Sequence, residues 1–112
     1  MKTKHYIVDF QKCNAEKLAN RNLHYIFVGL LIKHNIKRLN HGFFHKFTTG
    51  GKGVTGFIPL CTSHVAYHTY PEKAYMAFDI YMCAGGSGDK FIKDVAKYIE
   101  SKSFKKNSFL RG

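Results

Sequence analysis

The apolar residues of the chain follow two different spacings. In two segments they recur every three or four positions, which is the spacing of one buried helix face. The first segment predicts a helix over about 21–34, and the second predicts a helix from near 89 to about 102. Their apolar positions are Leu23, Ile26, Phe27, Leu30 and Leu31, and then Phe91, Ile92, Val95 and Ile99. Ahead of the first helix, Asn14 is suited to cap a short helical turn.

Elsewhere the chain is rich in β-branched and aromatic residues, and several stretches alternate between apolar and polar positions, as strands do. Strands are predicted at 4–10, 54–61, 64–70 and 75–83, with extended character over 35–47 and a short edge strand within 103–112. The dipeptide His41-Gly42 indicates a bulge or a turn. Alternation divides 75–83 into one face with Met76, Phe78, Ile80 and Met82, and another with Tyr75, Ala77, Asp79, Tyr81 and Cys83. We expect the first face in the core and the second toward a cleft or a second subunit.

The order of the elements predicts the fold class. A strand, a helix, several strands and a helix are typical of an α+β two-layer sandwich, with a mainly antiparallel sheet and two helices on one face. The length of 112 residues predicts a single domain over 1–112. The uncovered sheet face would remain partly apolar. We therefore expect a homodimer in which two sheets meet face to face.

Charge and cysteine content narrow the function classes. Lysine and arginine number 18 against 7 aspartates and glutamates, which gives a net charge of +11 with histidine neutral. Such a charge suits a nucleic acid, an acidic surface or solubility alone, but no recognised basic motif accompanies it, so nucleic-acid binding is not favoured. The three cysteines lack paired spacing and no signal-type run is present, which indicates the cytosol. No apolar stretch approaches the roughly 20 residues of a membrane span.

Candidate chemistry is concentrated between residues 53 and 83. Hydroxyl, imidazole, carboxylate and thiol groups occur there on Ser63, His64, His68, Glu72 and Cys83. Metal binding by the two histidines and the cysteine is one interpretation. However, strand positions four apart are separated by about 13 Å, so we expect no metal site.

Two other chemistries lack part of their pattern. A Ser-His-acid hydrolase could use Ser63 and His68 with Glu72 or Asp79, but the glycines of a nucleophile elbow are absent. The glycine-rich stretch 50–53 suggests a phosphate loop, yet it lacks the frame of a Walker A motif.

A longer pattern covers the same segment. Its parts are Gly53-Val54-Thr55-Gly56, Thr62-Ser63-His64, Tyr67-His68-Thr69-Tyr70-Pro71-Glu72, Asp79 and Tyr81-Met82-Cys83. In residues and spacing it resembles the bacterial and archaeal S-adenosylmethionine decarboxylase proenzymes, whose pattern is Gly-Val-Ser-Gly, Glu-Ser-His, Ile-His-Thr-Trp-Pro-Glu, Asp and Phe-Thr-Cys. The stretch 45–47 also resembles the preceding strand of that family. The chain departs from the family pattern at Thr55, Thr62 and Tyr70, where the family has serine, glutamate and tryptophan.

The resemblance implies a self-processing enzyme with a pyruvoyl cofactor. Cleavage would occur between Thr62 and Ser63, and Ser63 would become the pyruvoyl group that forms a Schiff base with the substrate amine. His68 would be the base for the elimination step. Thr55 would help to position the attacked carbonyl. Cys83 would return a proton to the substrate carbon after carbon dioxide leaves.

The resemblance also implies a substrate, S-adenosylmethionine, and a role in polyamine (spermidine) biosynthesis. Glu72 would contact the cationic sulfonium or amine, and Phe47 and Tyr70 would stack on the adenine or the sulfonium. A pyruvoyl-dependent ornithine or arginine decarboxylase is the alternative within the same class. An unprocessed, inactive protein is the alternative of another class, as a regulatory partner subunit or a basic nucleic-acid binder.

Overall fold

A computed structural model describes residues 2–112, and its central element is a six-stranded antiparallel sheet. The strands are β1 (Thr3–Gln11), β2 (Phe43–Lys46), β3 (Val54–Pro59), β4 (His64–Tyr70), β5 (Tyr75–Cys83) and β6 (Ser103–Arg111), in the spatial order β2-β3-β4-β5-β1-β6. The helices are α1 (Ala15–Leu18), α2 (Leu23–Lys33) and α3 (Gly88–Tyr98), and a 3₁₀ turn spans Pro71–Lys73. The predicted α+β class and antiparallel sheet are confirmed.

The core lies between the sheet and the two long helices. Phe78 on β5 contacts Phe27 of α2 and Phe91 of α3, with 5.9 Å between ring centroids in each pair. Met76 and Ile80 are fully buried on the same face of β5. Burying each such side chain contributes about 1.5–3 kcal/mol, so this layer is the main source of stability. The division of β5 into two faces, predicted from alternation, is confirmed.

The opposite side of the sheet, called the open face below, carries half-buried and exposed side chains. Phe57 on β3 stacks on His64 of β4 at 5.8 Å, and His64 contacts Tyr81 of β5 at 5.8 Å. Ile7 on β1 is 38% exposed on this face. An aromatic sheet face of this kind supports association with another surface, and the face-to-face dimer stays a prediction.

The extended stretch predicted over 35–47 is only partly a strand. Pairing is limited to β2 and to an isolated bridge between Arg38 and Leu60. Between them the Asn40 side chain accepts the Gly42 N–H at 2.7 Å, and Gly42 has a φ of +71°. A Cβ on Gly42 would lie 1.9 Å from the Phe57 carbonyl oxygen. The glycine therefore marks a turn and not a bulge.

Other boundaries differ from the predicted ones for local reasons. The second long helix ends at Tyr98, short of 102, because Glu100 takes a φ of +56° and the next amide, that of Ser101, returns to the Ala96 carbonyl. The tail forms a nine-residue strand along β1, longer than the short edge strand expected. The cap at Asn14 is confirmed, since its side chain accepts the Lys17 N–H at 3.1 Å. No helix in residues 2–112 has the length and apolarity to cross a membrane.

Candidate functional site

The predicted cleavage bond lies in the tight turn between β3 and β4. Cys61 and Thr62 form the exposed tip of this turn, and Ser63 is half-buried where β4 begins. The Leu60 N–H donates to the Ser63 carbonyl across the base of the turn at 2.9 Å. The tip is therefore accessible, and the residue whose carbonyl Ser63 would attack, Thr62, directly precedes it.

Ser63 and Cys83 line the same open cavity of about 270 Å³. His64 pairs with Tyr81 in the β4–β5 register, so continuing that register by two residues puts Thr62 opposite Cys83. The cavity has mainly apolar walls, which include Ile36, Leu60, Met82 and Gly86, and Lys37 also lines it. This arrangement joins the predicted cleavage serine and the predicted proton donor in one space.

Thr55 and His68 lie at the other end of β3 and β4. They are direct partners in the β3–β4 register, and a hydrogen bond of 3.0 Å joins Thr55 Oγ1 to His68 Nδ1. A second open cavity, of about 320 Å³, is lined by both residues and by Phe47, Tyr70 and Glu72. Five of the residues singled out in the sequence thus share this second cavity.

The ring of Tyr70 is held by its neighbours. It stacks on Tyr75 with 5.6 Å between centroids, and the Tyr75 hydroxyl donates to Asp9 Oδ1 at 2.5 Å. That hydrogen bond raises the pKa of Tyr75 to about 12, so the phenol stays protonated. Tyr70 remains 39% exposed, which leaves part of its ring available to a ligand.

Glu72 extends over the glycine-rich loop that precedes β3. A Cβ added to Gly51 would lie 1.6 Å from Glu72 Oε2, so the carboxylate occupies space that a side chain would fill. A Cβ on Gly53 would lie 2.2 Å from the Thr69 carbonyl oxygen. Nothing in the glycine-rich pattern of 50–53 indicates this relation between Gly51 and Glu72.

Within one chain, the two groups of predicted site residues line separate cavities at opposite ends of the central strands. Ser63 and Cys83 are at one end of the central strands, while Thr55, His68 and Glu72 are at the other end. His64 and His68 are four strand positions apart, which corresponds to roughly 13 Å. Side chains of this length do not bridge such a gap, so a single chain does not bring Ser63 to His68.

An ionisable cluster lies between the two groups on the open face. His5 Nε2 is 3.5 Å from Asp79 Oδ2, and the His5 and His64 rings are 6.4 Å apart. Burial, and then the charge of His5, lower the pKa of His64. Within residues 2–112 no three histidine, cysteine or acidic side chains are grouped so as to hold a metal ion.

A buried polar contact supports the sheet beneath the second cavity. His24, on α2, is 1% exposed, and its ring lies 2.8 Å from the Tyr67 hydroxyl and 2.6 Å from the His41 carbonyl oxygen. A carbonyl only accepts, so Nε2 carries the proton and Nδ1 accepts from Tyr67. A Cβ on Gly56 would lie 2.4 Å from the Tyr67 ring. The second glycine of the Gly-Val-Thr-Gly pattern therefore makes room for Tyr67.

Comparisons with family models, with individual proteins and with solved structures all lead to the same protein family. Residues 4–112 match the family model described as S-adenosylmethionine decarboxylase. A proenzyme of that name from Prochlorococcus marinus is 33% identical over 93 residues, which cover 83% of this chain and 71% of the relative.

Archaeal relatives are longer. The proenzyme from Pyrococcus furiosus is 35% identical over 80 residues, which cover 70% of this chain and 55% of the relative. The chain thus spans about half the length of such relatives. The crystal structure of the adenosylmethionine decarboxylase from Aquifex aeolicus superposes with a TM-score of 0.84 at 22% identity, over 98% of this chain and 90% of that one, which supports the fold.

Proposed function

Because the chain belongs to the S-adenosylmethionine decarboxylase family, we propose that it is a self-processing, pyruvoyl-dependent decarboxylase of S-adenosylmethionine. Its product would supply aminopropyl groups for polyamine (spermidine) synthesis. The observation that carries the proposal is the position of Ser63, in an exposed tight turn at an apolar cavity that Cys83 also lines. The cytosol stays the predicted compartment, on the sequence argument alone.

Self-processing would begin with the Ser63 hydroxyl. Its oxygen attacks the Thr62 carbonyl carbon, and the acyl group moves from nitrogen to oxygen to give an ester. The accessible turn fits this chemistry, since the hydroxyl and the carbonyl belong to adjacent residues and the tip is exposed. His68 would remove the Ser63 Cα proton, and Thr55 would donate a hydrogen bond to the attacked carbonyl. Once formed, the pyruvoyl group supplies a carbonyl that accepts the electrons released by decarboxylation.

A second copy of the chain would complete the site. Ser63 and Cys83 lie at one end of the central strands, and Thr55 and His68 lie at the other, so two open faces packed with their strands reversed would bring unlike ends together. A two-fold arrangement of this kind produces two equal sites. The aromatic side chains between the ends, including Phe57 and Tyr81, support burial of this face.

The second cavity has the groups that a sulfonium substrate needs. Glu72 provides a local negative charge, and Phe47 and Tyr70 offer exposed aromatic rings for stacking. The local carboxylate matters because the net charge of +11 does not attract a cation. Cys83, at the other end of the composite site, would return the proton to the substrate carbon.

Denaturing electrophoresis with mass spectrometry tests the proposal. We expect fragments 1–62 and 63–112, the second beginning with a pyruvoyl group, and release of labelled carbon dioxide from carboxyl-labelled S-adenosylmethionine rather than from ornithine or arginine. Ser63→Ala should abolish cleavage, whereas Cys83→Ala should permit cleavage and lower turnover. An intact wild-type chain after prolonged incubation, or cleavage in Ser63→Ala, would contradict the proposal.

A further inference from the structure

The connection between α2 and β2 runs alongside the cleavage turn. The Leu39 N–H donates to the Pro59 carbonyl at 3.0 Å, and Arg38 bridges to Leu60. Continuing this antiparallel pairing by one residue puts Lys37 opposite Cys61, at the tip of the turn. Lys37 also lines the cavity that Thr62 and Ser63 line.

Lys37 differs from several other lysines in its surroundings. Lys17 is paired with Glu100 at 2.9 Å and Lys33 with Asp94 at 2.8 Å, so their charges are balanced locally. In the part of the chain that the structure describes, Lys37 has no such ion pair, and no acidic side chain lines its cavity. An exposed lysine thus lines the cavity at the predicted cleavage bond, and no carboxylate in that lining neutralises its charge.

We propose that Lys37 is the counter-ion of the carboxylate that self-cleavage leaves on Thr62. The inference rests on the proposed function, because that carboxylate exists only after the chain is cut. In the elimination, the base takes the Ser63 Cα proton, a Cα=Cβ double bond forms and the ester bond between Cβ and oxygen breaks. The electron pair of that bond leaves on the Thr62 carboxylate, and water later releases the Ser63 nitrogen as ammonia. Negative charge therefore appears next to Lys37.

The residue at position 62 is consistent with this role. The family pattern that the chain resembles has a glutamate at position 62. A glutamate side chain at this position would give a neighbouring lysine an ion-pair partner before cleavage. Thr62 has no charge. Lys37 therefore stays available to the new terminal carboxylate of Thr62. Because the backbone keeps this carboxylate near Lys37, the ion pair costs less entropy than a pair with a carboxylate free in solution.

Cleavage rates test the kinetic part of this inference. In Lys37→Gln we expect a two- to fivefold slower appearance of fragments 1–62 and 63–112, the range of an exposed ion pair. Lys37→Arg should restore the rate, since it keeps the charge. Lys93→Gln is the matched control, because Lys93 is an exposed lysine on α3 that does not line the cavity. Equal rates in wild type and Lys37→Gln would overturn the kinetic role.

Titration of the Thr62 carboxylate tests the contact itself. In cleaved protein labelled with ¹³C at the threonine carboxyl carbon, Thr62 would be the threonine whose signal titrates. We expect its pKa to be about half a unit lower in wild type and Lys37→Arg than in Lys37→Gln. An unchanged pKa, or an increase in the substrate KM of Lys37→Gln with no change in this titration, would overturn the inference. If the wild-type chain is cleaved but Thr62 has the same pKa in wild type and Lys37→Gln, only the role of Lys37 is rejected. If the wild-type chain stays intact, the proposed function is rejected, and this inference with it.

Discussion

Gly51 is the residue that determines where the Glu72 carboxylate can lie. A Cβ at this position would occupy the space of Glu72 Oε2, so Gly51→Ala should push the carboxylate away from the second cavity. We expect the KM for S-adenosylmethionine to rise about tenfold, the effect of losing one hydrogen bond or contact to a charged group. Steady-state kinetics of the processed enzyme measure this change.

The control for this substitution is Gly29→Ala. Gly29 lies within α2, and a Cβ there would meet nothing within 4 Å, so this variant should keep the wild-type KM. If Gly51→Ala also kept the wild-type KM, then Glu72 would not contact the substrate or could move without loss.

Single residues divide into those that the sequence could identify and those that it could not. Ser63, His68 and Cys83 stand in one motif with fixed spacing, so a resemblance is enough to single them out, and their roles stay predictions. Gly51 and Lys37 carry no local signal. Gly51 matters because the Glu72 carboxylate lies over it. Lys37 matters because the turn between β3 and β4 runs beside it. Both relations join parts of the chain that are distant in sequence.

At the scale of elements, His24 connects α2 to β4 and to the turn before β2. Its ring accepts from Tyr67 and donates to the His41 carbonyl inside the core. Burial lowers the pKa of His24 from its ordinary value of 6.5, so the ring is neutral in the folded protein. In the unfolded chain the same ring binds a proton below that value. The contribution of His24 to the free energy of unfolding is therefore fully present above about pH 6.5, and it decreases as the pH falls below that value.

Chemical unfolding at two pH values measures this effect. Between about pH 7.5 and about pH 5.5 we expect the urea midpoint of the wild type to fall, and that of His24→Gln to fall less, because glutamine does not titrate. The matched control is His45→Gln, since His45 is an exposed histidine that lies outside this contact. An equal decrease in wild type and His24→Gln would show that other groups, such as His64, cause the pH dependence.

The elements that the sequence predicted best are those with strict alternation between turn residues. The bounds of β4 and β5 agree with the predicted 64–70 and 75–83. The stretch 35–47 was predicted less well because its backbone groups bind elsewhere. The His41 carbonyl accepts from a buried side chain on α2, and Gly42 turns the chain. The dipeptide His41-Gly42 indicates the turn or a bulge, but no pattern within the stretch reveals the partner of the His41 carbonyl.

At the scale of the whole molecule, a composite site makes a specific prediction for mixed subunits. With the proposed roles, Ser63→Ala would form no cofactor and His68→Ala would lack the processing base. In a heterodimer of the two variants, however, one site combines the intact Ser63 of one copy with the intact His68 of the other. After coexpression we expect about half of the His68→Ala chains, those in heterodimers, to be cleaved. The Ser63→Ala chains should stay intact.

Mass spectrometry of the coexpressed chains distinguishes the two fragment sets, and each variant expressed alone is the control. Intact His68→Ala chains in the mixture would mean that the two ends of the open face do not meet between copies. The sequence alone could not predict this division of the site. The strand predicted over 64–70 already implies about 13 Å between positions 64 and 68. The pairings that put Cys83 near the cleavage turn and Thr55 beside His68 appear only in the folded sheet.

The strand order has a consequence for the two fragments that the proposed cleavage would produce. Cleavage at 62–63 would leave β1, β2 and β3 on one fragment and β4, β5 and β6 on the other. In the sheet these strands are interleaved, since β1 lies between β5 and β6, and β3 pairs with β4. The two pieces therefore share three ladders of backbone hydrogen bonds and cannot separate without dismantling the sheet. The uncut chain would fold in a unimolecular reaction. After denaturation, the two fragments would have to meet by diffusion, so the refolding rate would depend on the protein concentration.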